Sequence, residues 1–143
     1  MVSKEYEVVN ISAKKVKAML ITNFKLQKAG IDFMGYNFNL QEATYHHLII
    51  PKRCGGQATY ENGAILMRTT AHDYIHTIEH YDLDVFKAIT EAIKSEKECG
   101  CLNVYDLKRI KNCLRYFEKN YNGKMSKKGK LIIKEKYINE RKI

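Results

Sequence analysis

The chain has 143 residues, one proline and a net charge of +9, from 25 lysines and arginines against 16 acidic residues. That length supports one compact domain with a modest core, and no apolar run reaches the roughly 18 residues that a membrane span requires. The first ten residues include Lys4, Glu5 and Glu7 and lack the apolar stretch of a signal peptide, so the expected location is cytoplasmic. There the four cysteines are free thiols or metal ligands rather than disulfides.

Residues 12–29 read as the first helix. Ser12 caps it, Val16, Met19, Leu20 and Phe24 form its apolar stripe, and Gly30 ends it. Its other faces carry Lys14, Lys15, Lys17, Lys25 and Lys28, which suit either a phosphate-facing helix or a solvated surface. From Ile31 to Leu40 aromatic and polar residues alternate around Gly35, which predicts extended structure with Phe33, Tyr36 and Phe38 in the core.

The next stretch holds all five histidines of the chain. His46 and His47 are adjacent in a run that continues as Leu48-Ile49-Ile50 and reads as a strand, which points the two imidazoles to opposite faces or around a bulge. Gly55-Gly56 and Glu61-Asn62-Gly63 are turn signals, and Ala64-Ile65-Leu66-Met67 reads as a second strand. Thr70, with Asp73 three residues on, resembles a capping box and predicts a helix start, and the i, i+4 pair His72 and His76 then shares one helical face. That spacing suits a divalent metal. Plain alternatives stand beside it: ordinary surface histidines, a closed structural zinc completed by His80, and for Asn62-Gly63 a simple hairpin turn.

The site helix is expected to end near Tyr81, with Asp82 or Asp84 capping a further helix whose stripe is Leu83, Phe86, Ile89 or Ala88, and Ile93, closed by Gly100. Asn103, with Asp106 three residues on, starts the most regular helix, its Leu107, Ile110, Leu114, Phe117 and Tyr121 repeating at 3, 4, 3 and 4, with Gly123 at its end. Cys99, Cys101 and Cys113 do not make paired C-x-x-C knuckles, so no second, structural zinc is expected, and Cys54 is read as a passenger in the glycine loop.

The ordered set His46-His47, Ile49-Ile50, Pro51, Gly55-Gly56, Asn62, and His72 with His76 resembles the HNH, or ββα-metal, endonucleases over residues 45–80. The resemblance implies that His46, His72 and His76 hold one divalent metal, that His47 is the general base toward the attacking water, and that Asn62 fastens the two limbs of the loop. It also implies 5′-phosphate and 3′-hydroxyl products. Three imidazoles favour Zn²⁺, Mn²⁺ or Ni²⁺ over Mg²⁺, and because family members vary in this the working metal stays open among the four.

Charge is unevenly spread. Residues 1–30 hold six lysines against two glutamates, and residues 124–143 hold seven lysines and one arginine against two glutamates, which leaves residues 31–123 at −1. Basic ends around a neutral middle suit a protein that grips a polyanion such as DNA. Lys52, Arg53 and Arg68 flank the site, and Lys124, Lys127 and Lys128 open the basic tail; all six are expected to contact phosphates. The sequence thus predicts an α+β fold, with a ββα-metal hairpin and helix embedded in a mostly helical domain over residues 1–123 and a basic extension over 124–143. The expected function is metal-dependent hydrolysis of DNA, with no membrane partner and no oligomeric state specified. The alternative is a non-catalytic module that keeps the fold and binds nucleic acid or protein.

Overall fold

A two-stranded antiparallel hairpin sits at the centre of the chain, and helices pack around it. The computed structural model describes residues 13–100, 102–121 and 141. Strands β1 (Ala43–His47) and β2 (Gly63–Met67) pair in register from Ala43 opposite Met67 to His47 opposite Gly63. All five residues of β2 are buried, which fits its unbroken apolar run better than an alternating pattern would. The α+β architecture is the one the sequence predicts.

The first strand is displaced from its expected span. It starts at Ala43 and stops at His47, so Ile49 and Ile50 leave the ladder and are about half exposed. The cause is Asn62: its carbonyl accepts from Leu48 N at 2.6 Å, and its side chain then captures Ile49 and Ile50.

The single helix expected over residues 12–29 is two helices, α1 (Ala13–Asn23) and α2 (Leu26–Ala29), and Ser12 lies outside the described residues. Lys25 breaks them apart with a left-handed backbone, φ 52°. A continuous helix would point Phe24 and Leu26, two positions apart, in opposed directions; the break lets both enter the core. Gly30 closes α2 as expected, its N–H donating to Leu26 O.

Residues 31–37 form a tight turn rather than an extended lead-in, because Ile31 bridges back to Asn37. Buried Asp32 organises it, accepting from Met34 N at 2.8 Å and Tyr36 N at 2.9 Å, while its other oxygen accepts from Met67 N at 3.1 Å. Phe33 and Tyr36 are fully buried, and Phe38 packs against the core.

β2 runs straight into helix. A π-helical turn, Arg68–His72, leads into α3 (Asp73–Tyr81), and no side chain caps either start. Thr70 makes no capping bond; it lies inside the wide turn, and its buried hydroxyl has no hydrogen-bond partner among the described residues. Such wide turns alter where the following helix presents its side chains.

α4 (Leu83–Cys99) is capped by Asp82, which accepts from Val85 N, and ends on left-handed Gly100. Its buried stripe is Val85, Ile89, Ala92, Ile93 and Glu96; Leu83 is 51% exposed and Phe86 only partly buried, so the stripe is rotated from the expected one. α5 (Val104–Tyr121) is capped by Asn103, which accepts from Tyr105 N at 2.8 Å. Its Ile110, Leu114 and Phe117 are buried against the core as the spacing predicts, while Leu107 and Tyr121 sit at its margin. Arg141 bridges Tyr36, and its guanidinium meets Glu118 at 2.5 Å. Gly123 lies outside the described residues. Among the described residues no helix is long and apolar enough to cross a membrane.

Candidate metal centre and active site

Alternation along β1 divides its two histidines. His46 points inward and is 2% exposed, whereas His47 is half-buried on the other side of the strand. The His46 imidazole faces those of His72, which ends the π turn, and His76, in α3, with ring centroids 5.2 and 5.5 Å away; His72 and His76 are 5.0 Å apart. One ring nitrogen from each of the three lies within 4.8 Å of the others. Burial, reinforced by the neighbouring imidazoles, pushes His46 down to about 3 and His72 down to about 4. All three-ligand metal sites of this kind need neutral imidazoles, and these two are neutral at physiological pH.

Three observations show that the residues fit a metal ion. Among the described residues neither ring nitrogen of buried His46 has a hydrogen-bond partner, a costly state for an isolated imidazole and a natural one for a ligand. The Thr44 hydroxyl donates to Leu66 O at 2.9 Å, so toward His72 Nδ1, at 2.7 Å, it accepts; the proton sits on Nδ1 and Nε2 keeps its lone pair. Glu79 Oε1 lies 3.2 Å from His76 Nδ1 and fixes the same tautomer there, and its other oxygen meets Arg53 at 3.3 Å. Such contacts orient metal-binding imidazoles and strengthen them as ligands.

His47 opens into the same cleft, about 820 Å³ in volume, whose walls include Tyr45, Lys52, Arg53, Phe86 and the three clustered histidines. Its ring stands edge-on to Tyr45, centroids 5.0 Å apart, and partial burial with the nearby Lys52 lowers its pKa. The base form therefore predominates at neutral pH.

Asn62 laces the loop between the strands. Its Oδ1 accepts from Ile49 N at 3.0 Å and Ile50 N at 2.6 Å, and its Nδ2 donates to Ile50 O and Gln57 O, both at 3.0 Å. The two glycines of this loop serve different needs. Gly55 has φ 85°, left-handed backbone that a side chain disfavours, whereas a Cβ on Gly56 would lie 1.9 Å from Ile50 O. From α4, Lys97 reaches the same loop: its Nζ donates to the carbonyls of Tyr60, of Glu61 at 3.3 Å and of Gly63 at 2.6 Å.

The structure thus brings His46, His47, His72, His76, Lys52 and Arg53 to one cleft, with Asn62 bracing the loop beside it. Arg68 is exposed at the start of the π turn and does not line that cleft. His80 is exposed, edge-on to Tyr81, and is not part of the cluster, so a four-histidine closed site is not assembled among the described residues. Lys124, Lys127 and Lys128 lie outside the described residues. Sequence reasoning missed Thr44, Glu79 and Lys97. The first two had signals: Thr44 is two residues before His46 on the same strand face, and Glu79 is one helical turn after His76. Lys97 had none. No family model matches the chain, and neither does any curated protein or solved structure.

Proposed function

We propose that the protein is a metal-dependent endonuclease of the HNH type that hydrolyses DNA phosphodiester bonds. The observation that carries this reading is a fourth imidazole, His47, opening into the same cationic cleft as the clustered His46, His72 and His76. A divalent ion on those three residues, for which their nitrogen donors favour Zn²⁺, Mn²⁺ or Ni²⁺ over Mg²⁺, would supply Lewis-acid stabilisation of charge at the scissile phosphate.

The chain's own residues do the rest. His47 takes a proton from water as its oxygen bonds to phosphorus and the P–O3′ bond breaks, and the departing O3′ takes a proton from solvent, leaving 5′-phosphate and 3′-hydroxyl ends. Lys52 and Arg53, in the short 3-10 turn Lys52–Cys54, neutralise the substrate's phosphate oxygens at the mouth of the cleft. Asn62 holds the loop that follows His47 and so fixes the strand end from which that imidazole projects. The exposed thiols of Cys54 and Cys99 suit a reducing, cytoplasmic setting.

A plasmid-cleavage assay of wild type and His47→Ala, in EDTA and then with Mg²⁺, Mn²⁺, Ni²⁺ or Zn²⁺, tests the reading. Wild type cleaves only with metal, and His47→Ala binds metal and DNA like wild type but loses at least about 100-fold in rate. A wild type inert in every metal leaves a non-cleaving nucleic-acid or protein binder as the reading.

A further inference from the structure

The near-zero charge of residues 31–123 hides a segregation that appears only on the folded helix. α5 carries five basic residues and two acidic ones. Both acids are withdrawn: Asp106 is buried and takes Arg109 at 3.1 Å, and Glu118 turns to Tyr74 and Arg141. What remains outward is Lys108, Lys111, Arg115 and Lys119, none of which meets a carboxylate among the described residues. Tyr105, 80% exposed, and Tyr116, 53% exposed, share that face. At about 100° per residue these six positions fall within an arc of roughly 140°.

We propose that this outward face of α5 is a docking surface for the phosphate backbone of duplex DNA. The proposal rests on the preceding reading for its choice of DNA and adds where the duplex is held outside the cleft. Lys108 and Lys119 stand roughly 16 Å apart along the helix axis, the rise of about five base pairs, so the four cations span several phosphates of one strand. Tyrosine hydroxyls donate to phosphate oxygens, and their rings pack on sugars. With its contacts confined to phosphate and sugar, the face grips without reading sequence. An anionic membrane fits less well, because an interfacial helix needs a free apolar face and that of α5 is spent on the core through Ile110, Leu114 and Phe117.

The test is fluorescence anisotropy with a short labelled duplex, in EDTA so that no metal-dependent hydrolysis occurs, across a range of salt concentrations. The variant K108A/K111A/R115A/K119A is expected to bind about 100-fold more weakly at low salt and to flatten the dependence of log K on log salt by about 3 to 4, since each phosphate contact contributes about 0.9. Alanine favours helix, so α5 persists; the milder K111A/R115A should lose about half that slope. K87A/K94A on α4, charge-matched to K111A/R115A, should leave the slope near that of wild type. An unchanged slope in the α5 variant, or a loss in K87A/K94A equal to that of K111A/R115A, overturns the proposal, as does an α5 variant that loses binding to anionic phospholipid vesicles but not to the duplex. A wild type that binds through α5 yet never cleaves sinks the nuclease reading alone. One that cleaves while the α5 variant keeps the full slope sinks this proposal alone.

Discussion

The Thr44 hydroxyl, 2.7 Å from His72 Nδ1, decides which nitrogen of that imidazole is left bare. Thr44→Val keeps the shape of the side chain and removes the acceptor. It should weaken metal binding about 10- to 100-fold without changing the fold, because the imidazole loses both its tautomer bias and its orientation. Competition against a chromogenic chelator measures this, and an affinity equal to that of wild type would show that the hydroxyl does not position the ligand.

Asn62→Ala removes four side-chain hydrogen bonds to Ile49, Ile50 and Gln57. The expected loss is about 2–4 kcal/mol in urea denaturation, since several backbone groups in a part-buried loop lose their partner. Asn62→Asp keeps the acceptors and loses the donors, and should recover less than half. A loss in Asn62→Ala below about 0.5 kcal/mol would mean that water replaces the amide at little cost.

The two loop glycines should respond unequally to alanine. Gly55→Ala meets open space and bears only left-handed backbone strain, about 1–2 kcal/mol. Gly56→Ala drives a methyl group into the Ile50 carbonyl, so the backbone itself must move and the cost should be larger. Thermal melting of both variants compares them directly; equal losses would contradict the close approach.

Stability should fall as pH rises. Burial foremost, then the charges of Asp106 and Asp32, raises Glu96 from 4.5 to about 9, and burial raises Asp32 from 3.8 to about 7 despite its backbone hydrogen bonds. Between each pair of values the folded chain holds a proton that the unfolded chain has released, so stability declines with pH, through about 7 for Asp32 and on to about 9 for Glu96. Glu96→Gln cannot ionise. Its melting temperature should fall less between pH 7 and 9 than that of wild type, and parallel curves would assign the decline to another group.

Much of the architecture was legible because it follows from local chemistry. The apolar run of β2, the Asp82 and Asn103 caps, the Gly30 and Gly100 ends, and the 3-4 spacing of α5 each act within a few residues of themselves. The errors lie where a distant partner overrides the local preference. Ile49 and Ile50 have strand-forming side chains, yet Asn62 draws their backbone out of the ladder; Lys25 breaks a good helix so that Phe24 and Leu26 can both be buried. At the site, helical spacing put His72 and His76 on one face, while His46 joined them in the expectation only through the family resemblance, because no local period links a strand residue to a helix about 25 positions on. The groups that orient them were harder to see, since threonine and glutamate are common on any surface and only their distances distinguish Thr44 and Glu79.

Lys97 ties the ββα unit to the helix that follows it. Three carbonyls of the loop, at Tyr60, Glu61 and Gly63, converge on one ammonium carried by α4, beyond the end of the unit at Tyr81. The unit is therefore not a portable cassette. Residues 43–81 grafted onto another scaffold would arrive with those acceptors unanswered and the Asn62 loop untethered on one side, so a transplant should carry α4 through Lys97 or supply a cation in its place.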